Sequence, residues 1–362
     1  MLIVGGGAVG LFLACRLAQK GIEVQVLERR ATPPTHSRAI GIHPPALERL
    51  AELGLAEAFL REGVCITRGH AFGGTKRLGT LEFSSCPPPY TFILTLPQPR
   101  TEALLAGRLE TLAPGALRCS TEVIGIHSDD HEVEVELASG ERLRADFLIG
   151  ADGKESRVRQ LLGISFHGGS YPDTYLMGDF ADNTGLGSDA ALYFTRAGLV
   201  ESFPLPGGVR RWVLKTPEYV REPTAEGLGQ LVRERLGLEL DPETNTMLSA
   251  FGVQRFLAER FVSGRVALIG DAAHILSPIG GQGMNLGWLG AWTLADGLTS
   301  GRGLSPYASH RRKAREALRR AEFNTVMGRA TPLAPLRDAL AWSILHTPLS
   351  RTFARVFTMR GL

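Results

Sequence analysis

The sequence has few lysines, few cysteines and no long apolar run, and each shortage disfavours a class of protein. Lysine accounts for only five of the 40 basic residues, which 37 acidic residues nearly balance to a formal net charge of +3. A nucleic-acid-binding protein is expected to carry a large positive excess on one face, which this balance does not provide. Because no apolar stretch approaches the ~20 residues of a membrane helix, we predict a soluble protein without a transmembrane segment.

The cysteines give no sign of a metal site or of a disulfide framework. Cys15, Cys65, Cys86 and Cys119 form no C-x-x-C pair or other metal-ligand spacing. Four cysteines in a chain of this length favour a reducing compartment. The first residues also lack the basic and long apolar segments of a secretory signal. We therefore predict a cytoplasmic protein without a metal ion.

Length and composition predict a folded protein of about two domains. The 362 residues exceed the roughly 250–300 residues to which one core usually grows. Hydrophobic residues make up 44% of the chain and charged residues 21%, which excludes wholesale disorder. Strand and helix patterns alternate over residues 2–60, with one helix predicted at 46–60. Residues 166–258 are rich in turns and indicate a second, sheet-containing domain, and residues 304–362 are predicted to be helical.

A glycine-rich turn lies between the first predicted strand and the first predicted helix. Residues 2–4 form a short apolar strand, residues 5–10 have the sequence GGGAVG, and residues 11–20 show helical apolar spacing before a strand at 24–27. In the G-x-G-x-x-G pattern, the glycines allow a tight turn, admit a pyrophosphate and let the helix pack closely on the strand. The helix N-terminus then offers unpaired N–H groups and a positive dipole end to phosphates.

An acidic residue follows the second strand at the distance expected in a dinucleotide site. Glu28 lies about 20 residues after the last glycine, where a carboxylate accepts a hydrogen bond from a ribose hydroxyl. A plain glycine turn is the alternative interpretation, which the strand, helix and acid in register disfavour. The sequence predicts a nucleotide site that contains Gly5, Gly7, Ala8, Val9, Gly10, Glu28 and Arg29.

Two further motifs follow apolar strands later in the chain. Residues 150–159 have the sequence GADGKESRVR, and residues 270–274 have the sequence GDAAH, followed by SPIGGQGMN at residues 277–285. With the glycine turn, and in this order, they make residues 1–325 resemble the single-component (class A) FAD-dependent aromatic monooxygenases of the para-hydroxybenzoate hydroxylase family. The resemblance implies FAD as a non-covalent cofactor and NADPH or NADH as co-substrate.

The resemblance also implies which residues contact the flavin. Pro278, Gly280 and Gly281 would face its reacting edge, where backbone N–H groups stabilise negative charge on the reduced ring. Asp271 would accept a hydrogen bond from a ribityl hydroxyl, or else cap a helix N-terminus. The implied FAD contacts in the second and third motifs are Asp152, Gly153, Gly270, Asp271, Gly281, Gln282, Gly283, Met284 and Asn285.

Three further assignments follow from the resemblance outside the glycine-rich segments. Arg38 matches the family arginine that contacts the FAD phosphates. Gln98 matches a glutamine on the adenosine side of the cofactor, and Arg100 competes for that role. Near the second motif, Arg157 or Arg159 would supply positive charge, although a solvated helix face explains either arginine equally well.

The implied fold is α/β, with a Rossmann-like FAD-binding domain, a second β-sheet substrate domain and a C-terminal helical tail. The FAD-binding domain is expected at residues 1–70, 98–165 and 259–325, the substrate domain at 71–97 and 166–258, and the C-terminal helices at 326–362. The implied reaction hydroxylates an aromatic or polyketide-like substrate with NAD(P)H and O₂ through a flavin hydroperoxide. A flavin-dependent C=C reductase of the same fold and a non-catalytic flavin-binding protein are the alternatives.

The sequence also bears on the substrate and on the tail. Residues 200–205, in the expected substrate sheet, lack the arginine with which benzoate hydroxylases hold a carboxylate, which disfavours a benzoate. Tyr193, Phe194, Phe203 and Trp212 lie on predicted strands, where they line an apolar pocket or belong to the core. The tail has two amphipathic segments that either touch a membrane surface weakly or pack on the protein's own core or a dimer partner. The sequence leaves open whether the protein is a monomer or a homodimer.

Overall fold

The computed structural model describes residues 1–32, 39–329 and 334–360, and it confirms the predicted mixed α/β fold. The strands in these residues are β1 (Leu2–Val4), β2 (Gln25–Leu27), β3 (Gly41–Ile42), β4 (Val64–Ile66), β5 (Arg68–Gly73), β6 (Lys76–Glu82), β7 (Ile93–Thr95), β8 (Leu117–Arg118), β9 (Val123–Ser128), β10 (Val133–Leu137), β11 (Arg142–Ala145), β12 (Leu148–Gly150), β13 (Phe166–Ala181), β14 (Ala190–Thr195), β15 (Gly198–Leu205), β16 (Val209–Thr216), β17 (Met247–Ala258), β18 (Val262–Ser263), β19 (Val266–Leu268) and β20 (His274–Ile275). The α-helices are α1 (Ala8–Gln19), α2 (Pro44–Glu52), α3 (Ala56–Glu62), α4 (Gln98–Leu112), α5 (Arg157–Leu161), α6 (Ala225–Leu236), α7 (Gly283–Thr299), α8 (Ser305–Ala308), α9 (His310–Met327), α10 (Ala334–Leu345) and α11 (Leu349–Phe357).

A mostly parallel six-stranded sheet contains the strands that precede all three motifs. Its strand order is β18-β19-β12-β1-β2-β8, in which the β18–β19 pair is antiparallel and the other pairs are parallel. The chain runs from β1 through α1 to β2 on one side, whereas β12 pairs with β1 on the other side. Ligands of open α/β sheets bind at the carboxyl ends of the strands where the strand order reverses. That position is the end of β1, at the glycine turn.

An eight-stranded sheet forms the second large layer. Its order is β20-β17-β13-β16-β15-β14-β5-β6. The long strand β13 pairs antiparallel with β16 on one side and with β17 on the other. Two three-stranded sheets, β11-β10-β9 and β3-β7-β4, complete the strand structure of the described residues. The division into domains stays a prediction.

Helix α6 covers one face of the eight-stranded sheet. Leu228 and Val232 of α6 pack with Tyr193, Val200 and Trp212 of the sheet in a single apolar cluster. Because successive side chains of a strand point to opposite faces, the alternate residues of β14, β15 and β16 face away from α6. The faces of this sheet therefore have different neighbours.

The helix predicted at residues 46–60 is in fact two helices, α2 and α3. Gly54, between them, adopts φ +74°. Glycine reaches this left-handed conformation without the penalty that a Cβ atom imposes, and it commonly ends a helix. The apolar spacing continues across the break, which is why periodicity alone joins the two segments.

The C-terminal helices pack on the protein itself. Both α10 and α11 contact β6, and Phe357 of α11 stacks on Phe83 with ring centroids 6.1 Å apart. Leu336 and Leu349, on the same helices, remain 68% and 59% exposed. The structure thus has the predicted packing on the core, and the predicted membrane contact stays a prediction. No helix of the described ranges combines the length and apolarity of a membrane span.

Candidate cofactor and substrate site

One large cavity lies between the carboxyl edge of the six-stranded sheet and one face of the eight-stranded sheet. Residues from all three motifs and from strands β13 to β17 line it. Its volume of about 1140 Å³ exceeds the ~300–1,000 Å³ that is typical of a site for one drug-sized ligand. The cavity is therefore large enough for a dinucleotide together with a second, smaller ligand.

The glycine turn brings the start of α1 directly against the ends of β1 and β12. Gly5 has φ +111°, and a Cβ atom there would lie 2.4 Å from the carbonyl oxygen of Ala151. A Cβ atom on Gly10 would lie 2.0 Å from the carbonyl oxygen of Gly5. Gly7 differs, because a Cβ atom there would face the cavity and meet nothing nearer than Glu102 Oε1 at 3.8 Å. Gly5 and Gly10 thus permit the backbone packing, and Gly7 leaves room for a ligand.

Helices α1 and α7 both begin at the cavity wall. Their N-cap residues are Gly7 and Gln282, and among the described residues neither helix has a hydrogen-bonded side-chain cap. Ala8 in the first turn of α1 and Met284 in the first turn of α7 line the cavity. The first N–H groups of a helix have no partner within it, and its N-terminus carries the positive end of the dipole. The cavity is therefore suited to an anionic ligand at two places.

Close packing fixes the two helix starts relative to each other. The side chain of Val9 in α1 lies between two glycines. A Cβ atom added to Gly270 would lie 3.2 Å from it, and a Cβ atom added to Gly287 would lie 2.7 Å from it. The Trp288 indole Nε1 donates a hydrogen bond of 2.9 Å to the carbonyl of Ala8. The third motif and the glycine turn are thus parts of one rigid unit.

Glu28 at the end of β2 is bound to the glycine turn. Its Oε2 accepts a 2.8 Å hydrogen bond from the Gly6 N–H, and Arg30 donates to both carboxylate oxygens. Burial by itself would raise the pKa of Glu28, but the hydrogen bonds from Arg30 and Gly6 outweigh burial and hold the pKa below its usual value. A carboxylate has about four acceptor positions, all used here. A ribose hydroxyl would therefore replace one of the Arg30 hydrogen bonds.

The second motif is held by its own side chains and is joined to the third. Asp152 accepts hydrogen bonds from the Ser156 hydroxyl at 2.5 Å and from the Val158 N–H at 3.1 Å. The buried guanidinium of Arg159 donates to the carbonyls of Lys154 at 2.8 Å and of Ala272 at 3.0 Å. Arg159 therefore connects the second and third motifs directly.

Asn285 and His43 fix the loop that precedes α7. The Asn285 amide donates to the carbonyls of Gly41 and Gly281 at 2.9 Å each, and it accepts from the His43 N–H at 2.8 Å. Burial lowers the pKa of His43 to about 4, so the ring is neutral at pH 7. Its Nε2 lies 3.2 Å from the carbonyl of Gly280, and because a carbonyl only accepts, this nitrogen carries the hydrogen. Gly280 and Gly281 have φ +95° and +65°.

Most of the residues predicted from the sequence line the cavity. They are Gly5, Gly7, Ala8, Val9, Glu28, Arg29, Gln98, Asp152, Gly153, Gly270, Asp271, Pro278, Gly280, Gly281, Gly283 and Met284. Gly10, Gln282 and Asn285 lie behind the wall, and Gln282 and Asn285 are buried there. Arg38 is outside the described residues. The structure thus brings segments far apart in sequence to one cavity.

The position of the side chains separates the alternatives that the sequence leaves open. Gln98 lines the cavity and donates a 2.9 Å hydrogen bond to Glu102, whereas Arg100 forms an ion pair of 2.9 Å with Glu62 outside it. Arg157 lines the cavity, whereas Arg159 is buried between the two motifs. By position, Gln98 and Arg157 are the better candidates for contacts with a nucleotide.

The inner face of the eight-stranded sheet forms an apolar wall of the same cavity. Phe194 of β14 and Phe203 of β15 line it, whereas Tyr193 and Trp212 lie on the opposite face under α6. The four aromatic residues considered from the sequence are therefore divided equally between the cavity and the core. Ile279, from the loop before α7, packs against this wall.

Glu201 of β15 is an acid without a partner in this apolar wall. The residue lines the cavity, is 5% exposed, and has no hydrogen bond or ion pair within the described ranges. Its cross-strand neighbours are Leu192 and Val213. Burial raises the pKa of Glu201 to about 8. The nearby Arg211 lines the cavity too, but its guanidinium is held by Asp179 at 2.7 Å.

Sequence reasoning missed a second polar group at the cavity, centred on His70. Its Nε2 lies 2.9 Å from Asp189 Oδ2, and Asp189 also pairs with Arg68 at 3.0 Å. These residues come from strand β5 and from the segment before β14, which pair in the sheet. No sequence pattern connects residues so far apart in the chain. For Glu201 the sequence does hold a signal, which is an acid among apolar residues on a predicted strand. No set of metal ligands is present in the described part of the chain.

The fold and the cavity define a Rossmann-like dinucleotide-binding protein in which an apolar sheet face adjoins the nucleotide motifs. A family model described as FAD binding domain matches residues 1–321. The chain belongs to this family, the class A FAD-dependent hydroxylases related to para-hydroxybenzoate hydroxylase, which confirms the resemblance found in the sequence. The lining fits the cofactor of the family, since Gly7 leaves space and two helix N-termini lie at the cavity wall.

Named relatives and solved structures agree with this assignment. A rifampicin monooxygenase from Streptomyces venezuelae is 35% identical over 302 residues, which cover 81% of this chain and 62% of that protein. The solved anhydrotetracycline hydroxylase from Streptomyces rimosus has a TM-score of 0.82 at 31% identity, with coverage of 100% of this chain and 76% of that chain. The p-nitrophenol 4-monooxygenase from Pseudomonas putida, at 24% identity, shares the fold, with a TM-score of 0.89 over 99% of this chain and 98% of that chain. This chain spans less than two thirds of the rifampicin monooxygenase.

We predict that Gly7→Ala weakens FAD binding without unfolding the protein. The backbone of Gly7 (φ −82°, ψ 179°) is open to alanine, so the substitution adds a methyl group to the cavity and no strain. We expect the FAD affinity of the apoprotein to fall by roughly tenfold or more, measured by fluorescence titration, with an unchanged melting temperature.

Gly107→Ala is the matched control for this substitution. Gly107 is an exposed position of α4, where a Cβ atom would meet nothing within 4 Å. Alanine is the better helix former, so the melting temperature should rise slightly while FAD affinity is unchanged. Equal FAD affinity in Gly7→Ala and wild type would show that Gly7 does not face the cofactor.

Replacing Glu201 with glutamine should stabilise the protein at alkaline pH. The unfolded Glu201 releases its proton near pH 4.5 and the folded one near pH 8, so the wild-type free energy of unfolding falls across this range. Glu201→Gln lacks this loss and should be the more stable protein at pH 8, by on the order of a few kcal/mol. Denaturant unfolding from about pH 5 to about pH 8 measures the difference.

The comparison isolates Glu201 because its ionisable neighbours are the same in both proteins. Tyr175 of β13, whose pKa burial raises, and Arg211 with its partner Asp179 face the same region of the sheet. Their contributions cancel in the difference. A stability difference that does not change with pH would show that Glu201 is ionised in the folded protein.

Proposed function

We propose that this chain is an FAD-dependent monooxygenase that uses NAD(P)H and O₂ to hydroxylate an aromatic or polyketide-like substrate. The observation that carries the proposal is that one cavity joins the dinucleotide motifs to an apolar sheet face. Ile279 packs on that face while Asn285 ties the neighbouring Gly281 to β3, so the loop at residues 278–281 borders both parts. Relatives named for rifampicin and anhydrotetracycline support a polycyclic substrate.

The residues at the cavity have distinct expected functions toward FAD. The start of α1, with Gly7 beside it, binds the pyrophosphate, and Glu28 binds a ribose hydroxyl in exchange for Arg30. Gln98 lies toward the adenosine. Asp271 accepts from a ribityl hydroxyl. The start of α7 stabilises negative charge on the ring system.

Bound FAD would supply the redox chemistry: it accepts hydride from NAD(P)H and activates O₂, so that one oxygen atom is transferred to the aromatic ring of the substrate and the other leaves as water. The protein contributes orientation and exclusion of water. Phe194 and Phe203 present apolar surface to an aromatic substrate. Arg157 lines the cavity, its guanidinium donates to the carbonyl of Ile124, and it offers positive charge to the phosphates of the nicotinamide nucleotide.

The test is NADPH oxidation by the FAD-loaded protein in air, with and without phenols, quinones and polycyclic aromatics, with product mass measured in the same samples. We expect one compound to stimulate oxidation and to gain one oxygen atom. The same assay with NADH determines the preferred nucleotide. A protein without added FAD is the control for unspecific oxidation.

Two outcomes would contradict the proposal. Oxidation of NADPH without O₂, coupled to reduction of the test compound, would instead show a C=C reductase of the same fold. Tightly bound FAD that neither nucleotide reduces, with each of the test compounds present, would show a non-catalytic flavin-binding protein.

A further inference from the structure

We propose that Glu201 selects the substrate: it hydrogen-bonds a hydroxyl or keto oxygen on an uncharged aromatic ring system and excludes aromatic carboxylates. This inference rests on the proposed function, because it assumes that the substrate lies against the inner face of the eight-stranded sheet.

Among the described residues no protein group pairs with Glu201, so a partner can reach it from the cavity that it lines. On β15, Leu199, Glu201 and Phe203 face the cavity, and Leu192 and Val213 are the cross-strand neighbours of the acid. The carboxyl group is thus surrounded by apolar side chains in the plane of the sheet. An acid that is 5% exposed and unpaired among the described residues destabilises the fold, unless a bound molecule satisfies it.

A protonated carboxyl group determines which ligand groups fit. Since burial raises the pKa of Glu201 to about 8, the group is mostly neutral at pH 7. A neutral carboxyl both donates and accepts a hydrogen bond, so it pairs with a phenolic hydroxyl or with a keto oxygen. Either oxygen occurs on uncharged phenols, naphthols and quinones.

The same wall is unsuited to a carboxylate. An aromatic carboxylate placed against this apolar wall would lose its hydration and would need a cation beside it. Arg211, which also lines the cavity, is occupied by the carboxylate of Asp179 through two hydrogen bonds of 2.7 Å. The cavity therefore discriminates against benzoate-like ligands by charge.

The test measures ligand binding to the FAD-loaded protein without NAD(P)H, from changes in the flavin absorption spectrum. The probes are matched pairs on three ring sizes, namely phenol and benzoate, 2-naphthol and 2-naphthoate, and 2-hydroxyanthraquinone and anthraquinone-2-carboxylate. For at least one pair, we expect the hydroxyl compound to bind roughly tenfold or more tightly than its carboxylate.

Three variants identify the residue responsible. Glu201→Ala should lower the affinity for the hydroxyl probe by roughly tenfold or more. Glu201→Gln, whose amide also donates and accepts, should keep that affinity within a few-fold of wild type. Glu222→Gln removes an exposed acid from the same part of the chain and should leave both affinities unchanged. Bound FAD and the melting temperature show that each variant is folded.

Several results would overturn the inference. Carboxylates that bind as tightly as the hydroxyl compounds, hydroxyl binding unchanged in Glu201→Ala, or binding of none of the probes would each do so. The readout is independent of turnover. A hydroxyl preference that depends on Glu201 in a protein that forms no product would overturn the monooxygenase and keep the inference. Product formation together with hydroxyl binding that is unchanged in Glu201→Ala would overturn the inference and keep the monooxygenase.

Discussion

The site depends on the close approach of the first turn of α1 to the ends of β1 and β12. That approach requires glycine at two positions, since a Cβ atom on Gly5 or Gly10 would overlap a backbone oxygen. Val9, between Gly270 and Gly287, extends the same contact to the third motif and to α7. Two helix N-termini are thereby placed at one cavity, which is what an anionic dinucleotide requires.

Features set by local spacing are predictable from the sequence. The glycine turn and the acid Glu28 after β2 depend on residues within one strand–turn–helix–strand unit, and the order of the three motifs carries the family resemblance. Together they predict the nucleotide side of the cavity. The helix break at Gly54 is harder to predict, since apolar periodicity runs through it and the left-handed glycine is a backbone property. The domain limits, the cytoplasmic location, the oligomeric state and the function of Arg38 stay predictions.

Features that depend on tertiary contacts were not predictable. Arg159 has the sequence surroundings of a solvated helix residue, and its link between Lys154 and Ala272 arises only when two distant loops meet. The pairing of His70 with Asp189 depends on the strand order of the sheet. For Glu201 the strand was predictable. Which alternate residues of that strand face the cavity depends on the face against which α6 packs.

The two-sided sheet also limits how the length of this chain can vary. In β15, Glu201 faces the cavity, and its neighbour Ser202 is buried on the other face, where it accepts from Arg210. A shift of the strand by one residue would exchange them, moving the acid beneath α6 and the hydroxyl into the cavity. Insertions and deletions are therefore compatible with the site in the turns at residues 196–197 and 206–208, and incompatible with it inside the strand.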